Sequence, residues 1–99
     1  MLKHVVLMRM KSESGVQKEL DLKQLIGALE ALPNTVAQIE KLDVVRNVVD
    51  RPGNWDLALT VEVSDEDALE QYRTHPEHLK VASLIDHVVA DRCAVDSLH

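Results

Sequence analysis

Phenylalanine is absent from this chain, and Trp55 and Tyr72 are its single tryptophan and single tyrosine. Any pocket it forms is therefore lined mainly by aliphatic side chains. Cysteine is nearly absent too: Cys93 stands alone, which excludes an intrachain disulfide and fits a reducing compartment, the cytosol. A lone cysteine of this kind reads as a small apolar strand residue. Lysine and arginine form no cluster, and the formal net charge is −6 at pH 7. A phosphate backbone or an anionic membrane rewards a basic face, so neither nucleic acid nor membrane is an expected partner. Long hydrophobic runs are missing as well. The opening stretch MLKHVVLMRM is short, is interrupted by His4 and Arg9, and lacks a small-residue cleavage site, so it reads as neither signal peptide nor membrane span. No repeat, linker or biased segment is present, and 45% hydrophobic with 28% charged residues over 99 positions predicts a single globular domain, residues 1–99.

The elements follow from periodicity. Lys3 to Met10 reads as a strand with His4, Val6, Met8 and Met10 on one face and Val5, Leu7 and Arg9 on the other. Ser14 and Gln17 make a capping-box pattern, after which Val16, Leu20, Leu25, Ile26, Leu29 and Leu32 recur at helical spacing until Pro33. Thr35 to Val49 is rich in β-formers but broken by charges, as a long strand near a sheet edge would be. Arg51-Pro52-Gly53-Asn54 is a turn. Trp55 to Val63 alternates cleanly, with Trp55, Leu57, Leu59, Val61 and Val63 on the inner side. Ser64 is placed to cap a helix from Asp65 to about Tyr72, with Asp65, Glu66 and Asp67 a solvated acidic start that complements the helix dipole and holds a magnesium ion at most weakly. Pro76 starts a second helical segment to about His87, with Leu79, Ala82, Leu84 and Ile85 turned inward. Ala90 to Ser97 closes the chain as a strand.

Strand, helix, strand, strand, broken helix, strand is the ferredoxin-like βαββαβ order: an α+β fold with a four-stranded antiparallel sheet and helices on one face. The other face would carry Val5, Leu7, Ile39, Ala58, Thr60 and Val95, too apolar to leave to water. Stacking two copies through it gains about 25 cal/mol per Å² of apolar area buried, so a homodimer through the open sheet face is expected.

The stretch YRTHPEHLK places Tyr72, His75 and His78 together. Tyr72 and His78 are expected to face a slot between sheet and helices as the catalytic pair, with His4, Val6, Met8, Leu57, Leu59 and His75 as the substrate-binding walls for a small organic molecule. His78 can exchange a proton near neutral pH and Tyr72 can donate to a carbonyl oxygen or oxyanion, which suits enolisation or intramolecular carbon–carbon condensation. The bland alternatives are a core aromatic with its hydroxyl at the rim for Tyr72, a turn-fixing ring for His75, and a strand-end packing role for His4. His75 and His78 with His4 or Asp56 could also make a three-ligand metal site, but neither a histidine-glutamate-x-x-histidine run nor a cysteine pair supports it, and no cofactor is called for. His87 and His99 read as surface groups.

Lys3-His4-Val5-Val6-Leu7, Trp55-Asp56-Leu57-Ala58-Leu59, Tyr72-Arg73-Thr74-His75-Pro76-Glu77-His78 and Asp91-Arg92-Cys93-Ala94-Val95-Asp96 resemble the stress-responsive dimeric α/β-barrel (Dabb) family across nearly the whole chain. The resemblance implies a ferredoxin-like protomer and a homodimer whose two sheets enclose a barrel. The family includes a plant polyketide cyclase whose ring-closing tyrosine and histidine match Tyr72 and His78, while many members have no assigned reaction. This chain departs from that cyclase in lacking phenylalanine around the slot and in its charged Asp91 and Arg92. A cyclase or isomerase and a non-catalytic, ligand-binding or stress-associated dimer are thus the two functions the sequence supports.

Overall fold

The computed structural model describes residues 1–98; His99 and its expected surface position lie outside them. The elements are β1 (Leu2–Met10), α1 (Gly15–Ala31) ending in a 3₁₀ turn (Leu32–Asn34), β2 (Lys41–Arg46), β3 (Leu57–Val63), α2 (Glu66–Thr74), α3 (Pro76–Val88) and β4 (Val89–Leu98). The strands form one antiparallel sheet in the order β2-β3-β1-β4. This is the ferredoxin-like α+β arrangement, with all three helices over one face. β1 is central, hydrogen-bonded to β3 on one side and β4 on the other, which is why its sequence is apolar on both parities. β2 lies at an edge, where its charged residues discourage stray pairing.

The core lies between sheet and helices. Val6, Met8, Leu57, Leu59, Val61 and Val63 from the strands meet Leu22, Leu25, Leu29, Leu69, Val81 and Ile85 from the helices, all buried. Removing a side chain such as Leu25 from water contributes about 1.5–3 kcal/mol, so the inward stripe of α1 alone fixes that helix on the sheet. The stripe differs from the expected one. Val16 and Leu20 are 77% and 56% exposed, because Leu22, Leu25, Leu29 and Leu32 supply the three- and four-residue spacing and Leu20, two residues from Leu22, points nearly the opposite way. The Ser14–Gln17 capping box does not form either: Ser14 makes no side-chain cap and Gln17 donates to Asp21 Oδ1 at 2.8 Å. The chain instead enters α1 through Gly15 at φ 82°, a backbone angle that favours glycine.

Three other boundaries moved. The expected strand Thr35–Val49 shrinks to β2, since residues 35–40 fold back locally, with Val36 N–H donating to Leu32 O and Ile39 N–H to Val36 O. Ile39, expected on the open face, packs against the core instead. Trp55 and Asp56 precede β3: the Asp56 carboxylate accepts from Met10 N–H at 2.8 Å and pairs with Lys18 at 2.8 Å. Trp55 leaves the core to lie under the Arg9 guanidinium, 4.1 Å from its ring centroid, a cation–π contact. Finally Asp65, not Ser64, caps α2, its carboxylate accepting from Ala68 N–H at 2.8 Å; an ionised oxygen is a stronger acceptor than a hydroxyl.

Alternation along the strands leaves Val5, Leu7, Val45, Ala58, Thr60, Cys93 and Val95 on the face without helices, with Lys3, Arg9, Glu62 and Asp91 around them. β4 is exposed beyond Val89, and Val95 is 66% exposed. None of the described helices is long and apolar enough to cross a membrane.

Candidate functional site

A break between two helices creates the site. His75 precedes Pro76, and the proline ring disfavours a helical conformation there; His75 accordingly adopts φ −61°, ψ 137° and separates α2 from α3. Its imidazole then caps the new helix, with Glu77 N–H donating to Nδ1 at 3.1 Å. That bond requires Nδ1 to be unprotonated, so the ring's proton sits on Nε2. The break leaves Tyr72 in the last turn of α2 and His78 in the first turn of α3, both facing the helix-covered side of β1.

There the helices do not close fully on the sheet. A cavity of about 420 Å³ is lined by His4, Val6, Met8 and Leu59 from the strands, Tyr72 and Arg73 from α2, His78, Leu79, Ala82 and Ile85 from α3, and Arg92, Ala94 and Asp96 from β4. Leu29 of α1 closes its inner end. Of the residues expected in the site, Tyr72, His78, His4, Val6, Met8 and Leu59 line this cavity. Leu57 and His75 do not: Leu57 is packed in the core and His75 is occupied as a cap. Leu79, expected inside, stands exposed at the mouth.

Tyr72 is the centre of the cluster. Only 1% of it is exposed; its ring centroid lies 4.5 Å from that of His78 and 6.3 Å from that of His4, both edge-on. Burial pushes the phenol up to about 12, so it stays protonated and its hydroxyl remains a donor, one without a hydrogen-bond partner among the described residues. His78 moves the other way. Burial holds its imidazolium below the ordinary histidine range; a hydrogen bond to the Arg73 backbone opposes this, and positive charge at His4, Arg73 and Arg92 adds to the lowering. Its Nδ1 is buried without a partner among the described residues. A neutral imidazole with an unsatisfied nitrogen beside a phenol that keeps its proton is a matched base and acid, their equilibria driven apart by one cavity.

His4 Nδ1 pairs with the Asp96 carboxylate. A carboxylate only accepts, so the His4 Nδ1 carries the proton and donates it to Asp96. Asp96, Arg92 and Arg73 were not singled out for the site from sequence. Parity offered a signal: Arg92, Ala94 and Asp96 alternate along β4, and the antiparallel register sets them across from Met8, Val6 and His4. Of the other possible metal ligands, Asp56 is tied to Met10 and Lys18 and His87 is exposed; among the described residues no three histidine, cysteine or acidic side chains gather into a metal-binding group.

Residues 2–98 match the profile of the family described as the Stress responsive A/B Barrel Domain, Dabb. An uncharacterized protein of Streptomyces coelicolor is 33% identical over 81 residues, 79% of each chain. Among solved structures, a dimeric protein of unknown function and ferredoxin-like fold from Bacteroides fragilis superposes with a TM-score of 0.87 at 31% identity, over 99% of this chain and 95% of that one. A hydroxynitrile lyase from Passiflora edulis has a TM-score of 0.81 at 15% identity, over 97% of this chain and 90% of that one, a likeness of fold alone.

Proposed function

This chain belongs to the stress-responsive A/B barrel (Dabb) family, and from that premise we propose that it is a homodimer whose protomers each take a small carbonyl compound into the cavity under their helices and move a proton on it. His78 is the base that removes the proton next to the carbonyl, and Tyr72 donates to the oxygen on which charge develops. The observation that carries this reading is the meeting of these two rings, 4.5 Å apart, in one cavity where burial disfavours charge on both. Enolisation serves an isomerase directly, and a cyclase when the enolate attacks a second carbonyl of the same molecule. Val6, Met8, Leu59 and His4 hold the substrate. A hydroxynitrile lyase on the same fold supports an enzymatic use of this scaffold. The open sheet face, apolar at its centre and charged at its rim, has the anatomy of an interface, and the dimeric Bacteroides fragilis protein supports the pairing. A lone cysteine in the sequence is in keeping with the cytosol.

The test is solvent exchange. In deuterium oxide, proton NMR of small ketones and keto acids should show loss of the signal next to the carbonyl at a rate proportional to protein, and Tyr72→Phe and His78→Ala should each slow it by about 10²–10⁴-fold. Equal rates in parent and variants refute the catalytic assignment. Binding without exchange in the parent leaves a non-catalytic, ligand-binding dimer as the function.

A further inference from the structure

The cavity contains more positive charge than the chain neutralises. Arg73 in the last turn of α2 and Arg92 on β4, opposite Met8, both line it. Neither guanidinium has an ion pair or side-chain hydrogen bond among the described residues. The chain carries 17 acidic residues against 11 lysines and arginines, so counter-ions are in surplus, and Arg46, Lys18 and Lys80 each have one. The one carboxylate in the cavity wall, Asp96, is engaged by His4. A helix C-terminus favours a cation and accounts for Arg73. It does not account for Arg92, which enters from a different element at the same cavity. Both charges also act on His78, so the two arginines and the base address one space.

We propose that the ligand of this cavity carries a carboxylate, seated between Arg73 and Arg92 at the mouth, with its apolar part against Val6, Met8, Leu29 and Ile85. Planar guanidinium forks bind a carboxylate in paired hydrogen bonds, and an uncompensated pair of them selects an anion over its neutral analogue. The substrate class is thus a small keto acid with an apolar substituent. The keto part of this assignment rests on the proton-transfer reading above; the carboxylate seat does not.

Phenylpyruvate and its methyl ester separate the two, since the ester removes the negative charge at the seat and keeps the ketone and the phenyl group. Calorimetric titration of the whole protein at low salt should show the acid binding at least about tenfold tighter than the ester, roughly 1.4 kcal/mol. The Arg73→Ala/Arg92→Ala double variant should bring the two ligands within about twofold while leaving the ester's affinity in place, and raised salt should shrink the preference in the parent. Both side chains are exposed, so the double variant keeps the parent's circular dichroism. An ester that binds as well as the acid, a preference that survives in the double variant, or no binding of the acid at millimolar concentration overturns the seat. Preference for the acid without solvent exchange sustains the seat and overturns only the proton-transfer reading. His78→Ala should slow exchange by about 10²–10⁴-fold without altering the preference.

Discussion

At the level of single residues, Tyr72 and His78 share one cavity yet respond to it in opposite directions. Burial raises the phenol to about 12 and lowers the imidazole from its ordinary 6.5. His78 must be neutral to accept a proton, so the exchange rate should rise with pH to a plateau whose apparent pKa lies below 6.5 and persist until Tyr72 ionises near 12; a pH–rate profile checks both limbs. Stability follows the same group. Below pH 6.5 the unfolded chain takes up a proton that the folded His78 resists, so the unfolded state binds more protons and stability falls as pH drops through that window, with no contribution above it. Urea midpoints across mildly acid pH should show this limb in the parent and a flatter one in His78→Ala. Tyr72→Phe, in contrast, removes a hydroxyl with no protein partner and should change stability by less than about 1 kcal/mol while cutting exchange, which separates its chemical role from its packing.

Among the elements, the helix break is the one on which the site depends. His75 both ends α2 and caps α3, and only because the chain restarts there do Tyr72 and His78 converge from two helices. Capping decides where these helices begin. Asp65→Ala should cost about 1 kcal/mol in thermal or urea unfolding, and Ser64→Ala close to nothing, since Asp65 holds the Ala68 amide. His75→Ala should cost a similar amount at the start of α3 and slow exchange as well, because it loosens the turn that presents His78.

The molecule as a whole leaves one face of its sheet uncovered. Val5, Leu7, Ala58 and Val95 stand at the centre of that face and charged residues at its edge, so pairing through it, as proposed, would bury apolar area that a lone protomer gives to water. Val95→Asp places a charge at an exposed position of β4, where it should not disturb the protomer's core but should oppose pairing. Sedimentation at micromolar concentration should then find a dimer for the parent and a folded monomer for the variant; a parent that sediments as a monomer refutes the interface.

The order of elements, the antiparallel sheet, the open apolar face and the Tyr72–His78 convergence were all legible in the sequence, because two-residue and three-to-four-residue periodicities and a proline record which face each side chain must hide. Boundaries were less legible because they turned on competition: at Ser14 and Ser64 an adjacent residue took over the helix start, Gly15 in one case and Asp65 in the other, residues 35–40 folded back onto Leu32 and Val36, and Arg9, distant in sequence, drew Trp55 out of the core. Tertiary structure alone decided that Asp96 reaches His4 across 92 positions and that Arg73 and Arg92 share a cavity with His78. Periodicity sets the direction of a side chain from its neighbours, but the distance between two charges depends on strand register and helix docking, which exist only once the chain has folded.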